Sequence, residues 1–182
     1  EIKNTSKVFV MKKILFLISL ILTSQVNAAP RDPYKHFFNE TWGDFKEELA
    51  NAKEQGKKGI LIFFEMDECP FCHYMKKNVI NQPEVQEYYR RHFLNFSVDI
   101  EGDVEMVNLK GKTTRQKDFA FKEFRVRATP VIMIIGLDGK PIHRHTGKTS
   151  GVGEFMLMGK YIVDGHYKTT SFTRFKRKHR KR

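Results

Sequence analysis

Apolar residues recur along the chain in two distinct periods. Trp42, Phe45, Leu49 and Ala52 fall at helical spacing as far as Gly56, which predicts a first helix over about 42–55. Thr41 with Asp44 resembles a capping box at its start. Lys57 and Lys58 then lead into Gly59-Ile60-Leu61-Ile62-Phe63-Phe64, a continuous apolar run that suits a strand over 59–65 buried on both faces. A helix follows from Cys69 towards Ile80. Asn81-Gln82-Pro83 interrupts it, and Pro83 restarts a helix through Arg91. Phe93 to Ile100 alternates apolar and polar residues and reads as a second strand.

Residues 101–114 are polar, with Gly102 and Gly111, and read as a loop or small hairpin. Lys117 to Phe124 is expected to be a short helix with Ala120, Phe121 and Phe124 inward. Val131 to Ile135 is β-rich, Asp138-Gly139 supplies a hairpin turn, and Pro141 to His145 is the returning strand. A last helix covers about 154–164, with Met156 and Met158 as packing residues. The order is α-β-α-β-α-β-β-α, without internal repeats. Helices between the early strands imply parallel crossovers and the Asp-Gly turn an antiparallel hairpin. The pattern therefore predicts an α/β fold, a mixed central sheet with helices on both faces.

The two ends change this picture. Met11-Lys12-Lys13, the apolar run Ile14 to Leu22, and the small residues at Val26-Asn27-Ala28-Ala29 have the form of an export signal over 11–29, cleaved after Ala28 or Ala29. The apolar run is too short to span a membrane as a helix. Residues 1–10 precede Met11, the candidate initiator, and read as an upstream extension. The remaining chain divides into a domain over 30–167 and a basic tail over 168–182. That tail holds eight Lys and Arg and no acid, which leaves about +4 of the net charge of +12 for the rest of the 182 residues. A disordered, solvated tail is the expectation, with attraction to an anionic membrane surface or an acidic partner as the alternative. Export disfavours nucleic acid as a partner and places the protein in an oxidising, periplasmic compartment.

The candidate chemistry lies in Cys69-Pro70-Phe71-Cys72, which contains the only two cysteines. Cysteines three apart at a helix start share a face, so their sulfurs can close a disulfide. Pro70 suits the first helical position, which makes Cys69 the N-cap, where free amides and the dipole favour a thiolate. A strand delivering such a pair to a helix N-terminus has the layout of a dithiol redox site. Cys69 to His73 also spells Cys-x-x-Cys-His, the attachment pattern of c-type haem, with Met75, Met106 and Met133 as candidate distal ligands. A structural disulfide is a third reading. Zinc is the weakest, because no second Cys-x-x-Cys completes four ligands, and no metal is expected.

Four segments together resemble the thioredoxin superfamily over about 41–165. They are Ile60 to Phe64 before Cys69-Pro70-Phe71-Cys72; Gln82-Pro83-Glu84-Val85 before Phe93 and Val98-Asp99-Ile100; Phe124-Arg125-Val126-Arg127-Ala128-Thr129-Pro130; and Asp138-Gly139-Lys140 before Gly147. The two-part helix restarting at Pro83 is similar to exported thioredoxin-like reductants, including those linked to bacterial sulfur oxidation. The resemblance implies a cis Thr129-Pro130 bond against the dithiol, with the backbone before it pairing an extended substrate segment. It implies an exported thiol–disulfide oxidoreductase in which Cys69 attacks, Cys72 resolves, and Pro70, Phe71, Thr129 and Pro130 contact substrate. No cofactor beyond the Cys69–Cys72 pair is implied. The expected partners are a protein disulfide and a membrane-embedded thiol reductant.

The departures from the family concern proton handling. The family's buried strand acid falls on Phe63, and Glu65, two positions on and on the same strand face, is its candidate replacement. Met66-Asp67-Glu68 stand where many members carry a Trp before the first cysteine. Asp67 and Glu68 are expected to oppose a strongly depressed Cys69 pKa, which favours a reducing role. His73 is either a solvent-facing modulator or, in the haem reading, the axial ligand. A third class, a non-catalytic binding module, would keep the fold without thiol turnover.

Overall fold

The computed structural model describes residues 29–179. Residues 1–28, with most of the expected export signal, and residues 180–182 lie outside the described residues. β1 (Gly59–Glu65) is buried along its whole length because it is central: it pairs in parallel with β2 (Phe93–Asp99) and antiparallel with β5 (Val131–Gly136). β5 continues antiparallel to β6 (Pro141–Thr146), which gives a four-stranded sheet in the order β2-β1-β5-β6. β3 (Glu105–Val107) and β4 (Thr113–Arg115) form the small hairpin expected in the polar segment.

Helices cover both faces. α1 (Pro33–His36) opens the described chain, α2 (Phe45–Glu54) precedes β1, and α3 (Pro70–Met75) continues as a π turn over Lys76–Ile80. α4 (Pro83–His92) restarts at Pro83, and α5 (Gln116–Asp118) runs into a second π turn over Phe119–Glu123. α6 (Val152–Val163) and α7 (Phe172–His179) close the fold.

Strand alternation divides the core in two. Leu61 and Phe63 of β1, with Ile132 and Ile134 of β5, face a layer made by α3, α4, α6 and α7. Ile60, Ile62 and Phe64 face α2 and the 119–123 turn. Each such fully buried side chain contributes about 1.5–3 kcal/mol through apolar burial. Gly59 is required where β1 meets β5, since a Cβ there would collide with the Ile135 carbonyl. Gly159 lets α6 approach α4, because a Cβ would stand 2.7 Å from the Tyr88 ring.

Three expectations are corrected. The first helix starts at Phe45, not near 42, because Asp44 is its N-cap and accepts from the Glu47 N–H. Gly43, at φ +85°, turns the chain just before it, so Trp42 lies fully in solvent rather than on the helical face. In the 119–123 segment the π turn adds a residue and shifts the register. Phe119 and Ala120 are buried, while Phe121 is 44% exposed.

The third correction concerns the tail. Residues 172–179 are helical and docked, not a disordered, solvated segment. Phe172 and Phe175, one helical turn apart, bury their rings against Tyr161, and Phe172 also meets His143. Lys176 pairs with Glu154 at 2.6 Å, and Tyr161 donates to the Thr170 carbonyl at 2.6 Å. The two aromatic residues inside the charge run supply the apolar burial that a uniformly basic segment lacks.

Candidate active site

The turn after β1 carries the chain through Met66-Asp67-Glu68 to Cys69, the N-cap of α3. Its Sγ accepts from the Cys72 N–H at 3.0 Å, and Pro70 occupies the first helical position, where no donor is needed. The two sulfurs are joined as a disulfide with Cα atoms 5.2 Å apart, as the helical spacing requires. Both cysteines are nearly covered: Cys69 is 3% exposed and Cys72 is fully buried. The two residues between them, Pro70 and Phe71, are exposed, the latter by 52%.

Thr129-Pro130 enters β5 at the same end of the sheet, where Val131 pairs with Phe64. The peptide bond between them is cis. Pro130 is buried and its carbonyl accepts from Gly147 N–H at 2.8 Å. Among the described residues, the N–H and C=O groups of Arg127, Ala128 and Thr129 make no hydrogen bond, and Arg127 and Ala128 are exposed. The Thr129 hydroxyl is buried and unpartnered. A strip of free main chain thus lies at the end of the sheet from which β1 leads to the dithiol, with groups to which an extended segment can be added. Arg144 props the loop from β6, donating to the Phe124 carbonyl at 2.5 Å and the Arg125 carbonyl at 3.4 Å.

Glu65 lies at the end of β1, on the Phe63 face, and is 7% exposed. Its carboxylate accepts from Lys76 Nζ at 2.5 Å, from the Tyr34 hydroxyl at 3.1 Å, and from the Ser97 hydroxyl. Lys76 also donates to the Tyr34 oxygen at 2.7 Å. Burial works against the Lys76 charge, but its hydrogen bonds to Glu65 and Tyr34 outweigh this and raise its pKa above the ordinary lysine value. Lys76, Tyr34 and Ser97 were not singled out from the sequence. The available signal was the position of Lys76 one helical turn beyond Cys72, which puts it on the same face of the helix.

Asp67 and Glu68 are exposed, and their carboxylates make no hydrogen bond among the described residues. His73 is exposed, with Nε2 2.9 Å from the Asp67 carbonyl oxygen, which ties the turn to α3. The candidate distal methionines are core residues: Met75 is fully buried, Met106 lies on the opposite side of the sheet from α3, and Met133 is 3% exposed. Among the described residues no cluster of three or more His, Cys, Asp or Glu side chains is placed to hold a metal ion.

A mixed sheet whose central strand delivers a helix-capping Cys-x-x-Cys, with a cis-proline entering the neighbouring strand at the same end, defines the class. The sequence profile of the thioredoxin-like domain matches residues 45–155, and the chain belongs to that family. Three solved structures share the fold, each with a TM-score of 0.54. A thioredoxin-fold protein from Helicobacter pylori is 26% identical, over 64% of this chain and 75% of its own. The oxidoreductase DsbH is 21% identical over 78% and 95%. A thioredoxin from Thermus thermophilus is 21% identical over 70% and 88%. No curated protein sequence matches the chain.

Proposed function

We propose that the protein is an exported thiol–disulfide oxidoreductase that reduces disulfides in other proteins. The observation that carries this reading is the Cys69–Cys72 pair capping α3, nearly buried, with the unpaired main chain of 127–129 at the same end of the sheet. In the reduced protein, the Cys69 thiolate attacks one sulfur of a substrate disulfide, forms a mixed disulfide and releases the first substrate thiolate. The Cys72 thiolate then attacks the Cys69 sulfur, releases the second substrate thiolate and leaves the Cys69–Cys72 disulfide. Two electrons pass to the substrate, and its two thiolates take up the protons lost by the cysteines. Pro70, Phe71, Thr129 and Pro130 are the proposed substrate-contacting residues. Glu65, paired with Lys76, is the proposed proton acceptor for Cys72, with Asp67, Glu68 and His73 modulating the site from the surface.

The proposed compartment is the periplasm, and the proposed electron source is a membrane-embedded thiol relay that reduces the resting disulfide. The exposed Arg174, Arg177 and Lys178 of α7 would favour an anionic membrane surface. The name of the fold neighbour DsbH, an oxidoreductase, is in keeping with thiol chemistry. The haem reading fits this geometry poorly: a thioether-linked haem needs both sulfurs presented beside the His73 ring. Here the sulfurs are buried and bonded to each other, and the ring is turned to the Asp67 carbonyl. Titration against glutathione tests the function and its direction together. A reducing couple gives a Cys69–Cys72 potential well below that of the glutathione pool; a pair that neither reduces nor oxidises over the titration contradicts thiol turnover.

A further inference from the structure

We propose that the cis-proline side of the dithiol selects partner segments that carry carboxylates next to their disulfide cysteine. The inference rests on the oxidoreductase reading above and names the chemistry of its substrate. Arg125, Arg127, Arg144 and Lys148 are all exposed and belong to the segments around Thr129-Pro130. None of them forms an ion pair among the described residues. The sequence supplies no internal countercharge either: no acid occurs between Phe124 and Leu137, or between Lys140 and Gly153.

Three of these cations are held in place by neighbours that leave their charge free. The Arg127 guanidinium lies 5.4 Å from the centre of the Phe121 ring, which explains an otherwise exposed aromatic side chain. Lys148 Nζ lies 4.5 Å from the centre of the Tyr74 ring on α3. It follows Gly147, whose N–H is bonded to the Pro130 carbonyl, so this cation reaches from the cis-proline loop to the cysteine helix. Arg144 fixes the carbonyls of Phe124 and Arg125. An extended segment paired with the free main chain of 127–129 therefore meets these cations. An acidic segment gains from them, and a basic one is repelled.

The test uses the reduced full chain and three synthetic peptides, identical except that glutamate, glutamine or lysine flanks a single cysteine. Each cysteine is held in a disulfide with 2-mercaptoethanol, and reduction releases both thiols. The glutamate peptide is expected to react about tenfold faster than the lysine peptide at low salt. High salt should narrow the gap, since these charges are exposed. The double variant R127E/K148E should reverse the order within one preparation. Equal, non-zero rates for all three peptides overturn charge selection and leave the thiol chemistry standing, as does a preference that survives in the double variant. If no peptide is reduced, the oxidoreductase reading fails and this inference with it. Should the variant not fold, the salt dependence in the unaltered protein decides.

Discussion

Lys76 Nζ stands 2.5 Å from Glu65 Oε2 and ties the cysteine-bearing helix to the carboxyl end of the central strand. The pair is largely removed from water, with side-chain exposures of 17% and 10%, and Tyr34 and Ser97 complete its hydrogen bonds.

Removing one partner leaves a charge without compensation. Lys76→Met should destabilise the protein by about 1–3 kcal/mol, less than for a fully buried pair because both groups keep some solvent. Adding Glu65→Gln should recover part of that loss. Denaturant unfolding of both single variants and the double variant measures the coupling. A loss in the double variant equal to the sum of the two single losses would mean that the pair is uncoupled.

The C-terminal helix should be part of the folded unit. Phe175→Ala should cost about 2–4 kcal/mol and lower the melting temperature, since the ring is 5% exposed and packs on Tyr161. Glu154 reports the same contact by pH. Burial raises its pKa, but hydrogen bonds from Lys176 and Ser150 outweigh this and bring it down to about 2. The stability it contributes is present above pH 4.5 and is lost as pH falls towards 2. Lys176→Met should flatten that acid limb in a melting-temperature series.

His143 adds a second pH window. Burial, then the nearby His145, pushes its pKa down to about 4, while its ring packs edge-on to Tyr161 and Phe172. The unfolded chain binds a proton below about pH 6.5 and the folded protein does not until about pH 4. Stability therefore falls as pH is lowered through this window, by about 2–3 kcal/mol. His143→Phe should remove that slope, and an unchanged slope would assign it to other groups.

What could be read from the sequence was local or strictly periodic. The β1 strand is a continuous apolar run, and the cap at Cys69 depends on four neighbouring residues, so both were visible without long-range information. The polar cluster was only half visible: Glu65 could be placed on the Phe63 face by strand alternation, but nothing marks Tyr34, from the far side of β1 in the chain, as its partner. Lys76 looked like any surface lysine until α3 packed it over the strand end. The tail misled for another reason. Its charge density masked Phe172 and Phe175, whose spacing signals burial only once Tyr161 and His143 are there to receive them. Phe121 went wrong because a π turn changes helical register without a residue pattern to announce it.

The proposed export makes a prediction outside the described residues. The basic start, apolar run and small residues ending at Ala29 predict a mature N-terminus at Ala29 or Pro30. Intact-mass measurement of the protein from its native source checks this, and residues 11–28 retained on the mature chain would replace cleavage with an anchored form.

The central claim is that Cys69 attacks and Cys72 resolves, and trapping tests it most directly. Cys72→Ser should keep the attacking thiol and lose the resolving one, so that the protein accumulates in reductant-sensitive mixed disulfides with its substrates. Cys69→Ser should trap none. Gel analysis of both variants under non-reducing conditions, with mass spectrometry of the released partners, reads the outcome. Adducts on Cys72→Ser alone are the predicted result. Adducts on Cys69→Ser alone would reverse the roles, and no adducts on either variant, with loss of a haem Soret band in both, would contradict the thiol–disulfide account.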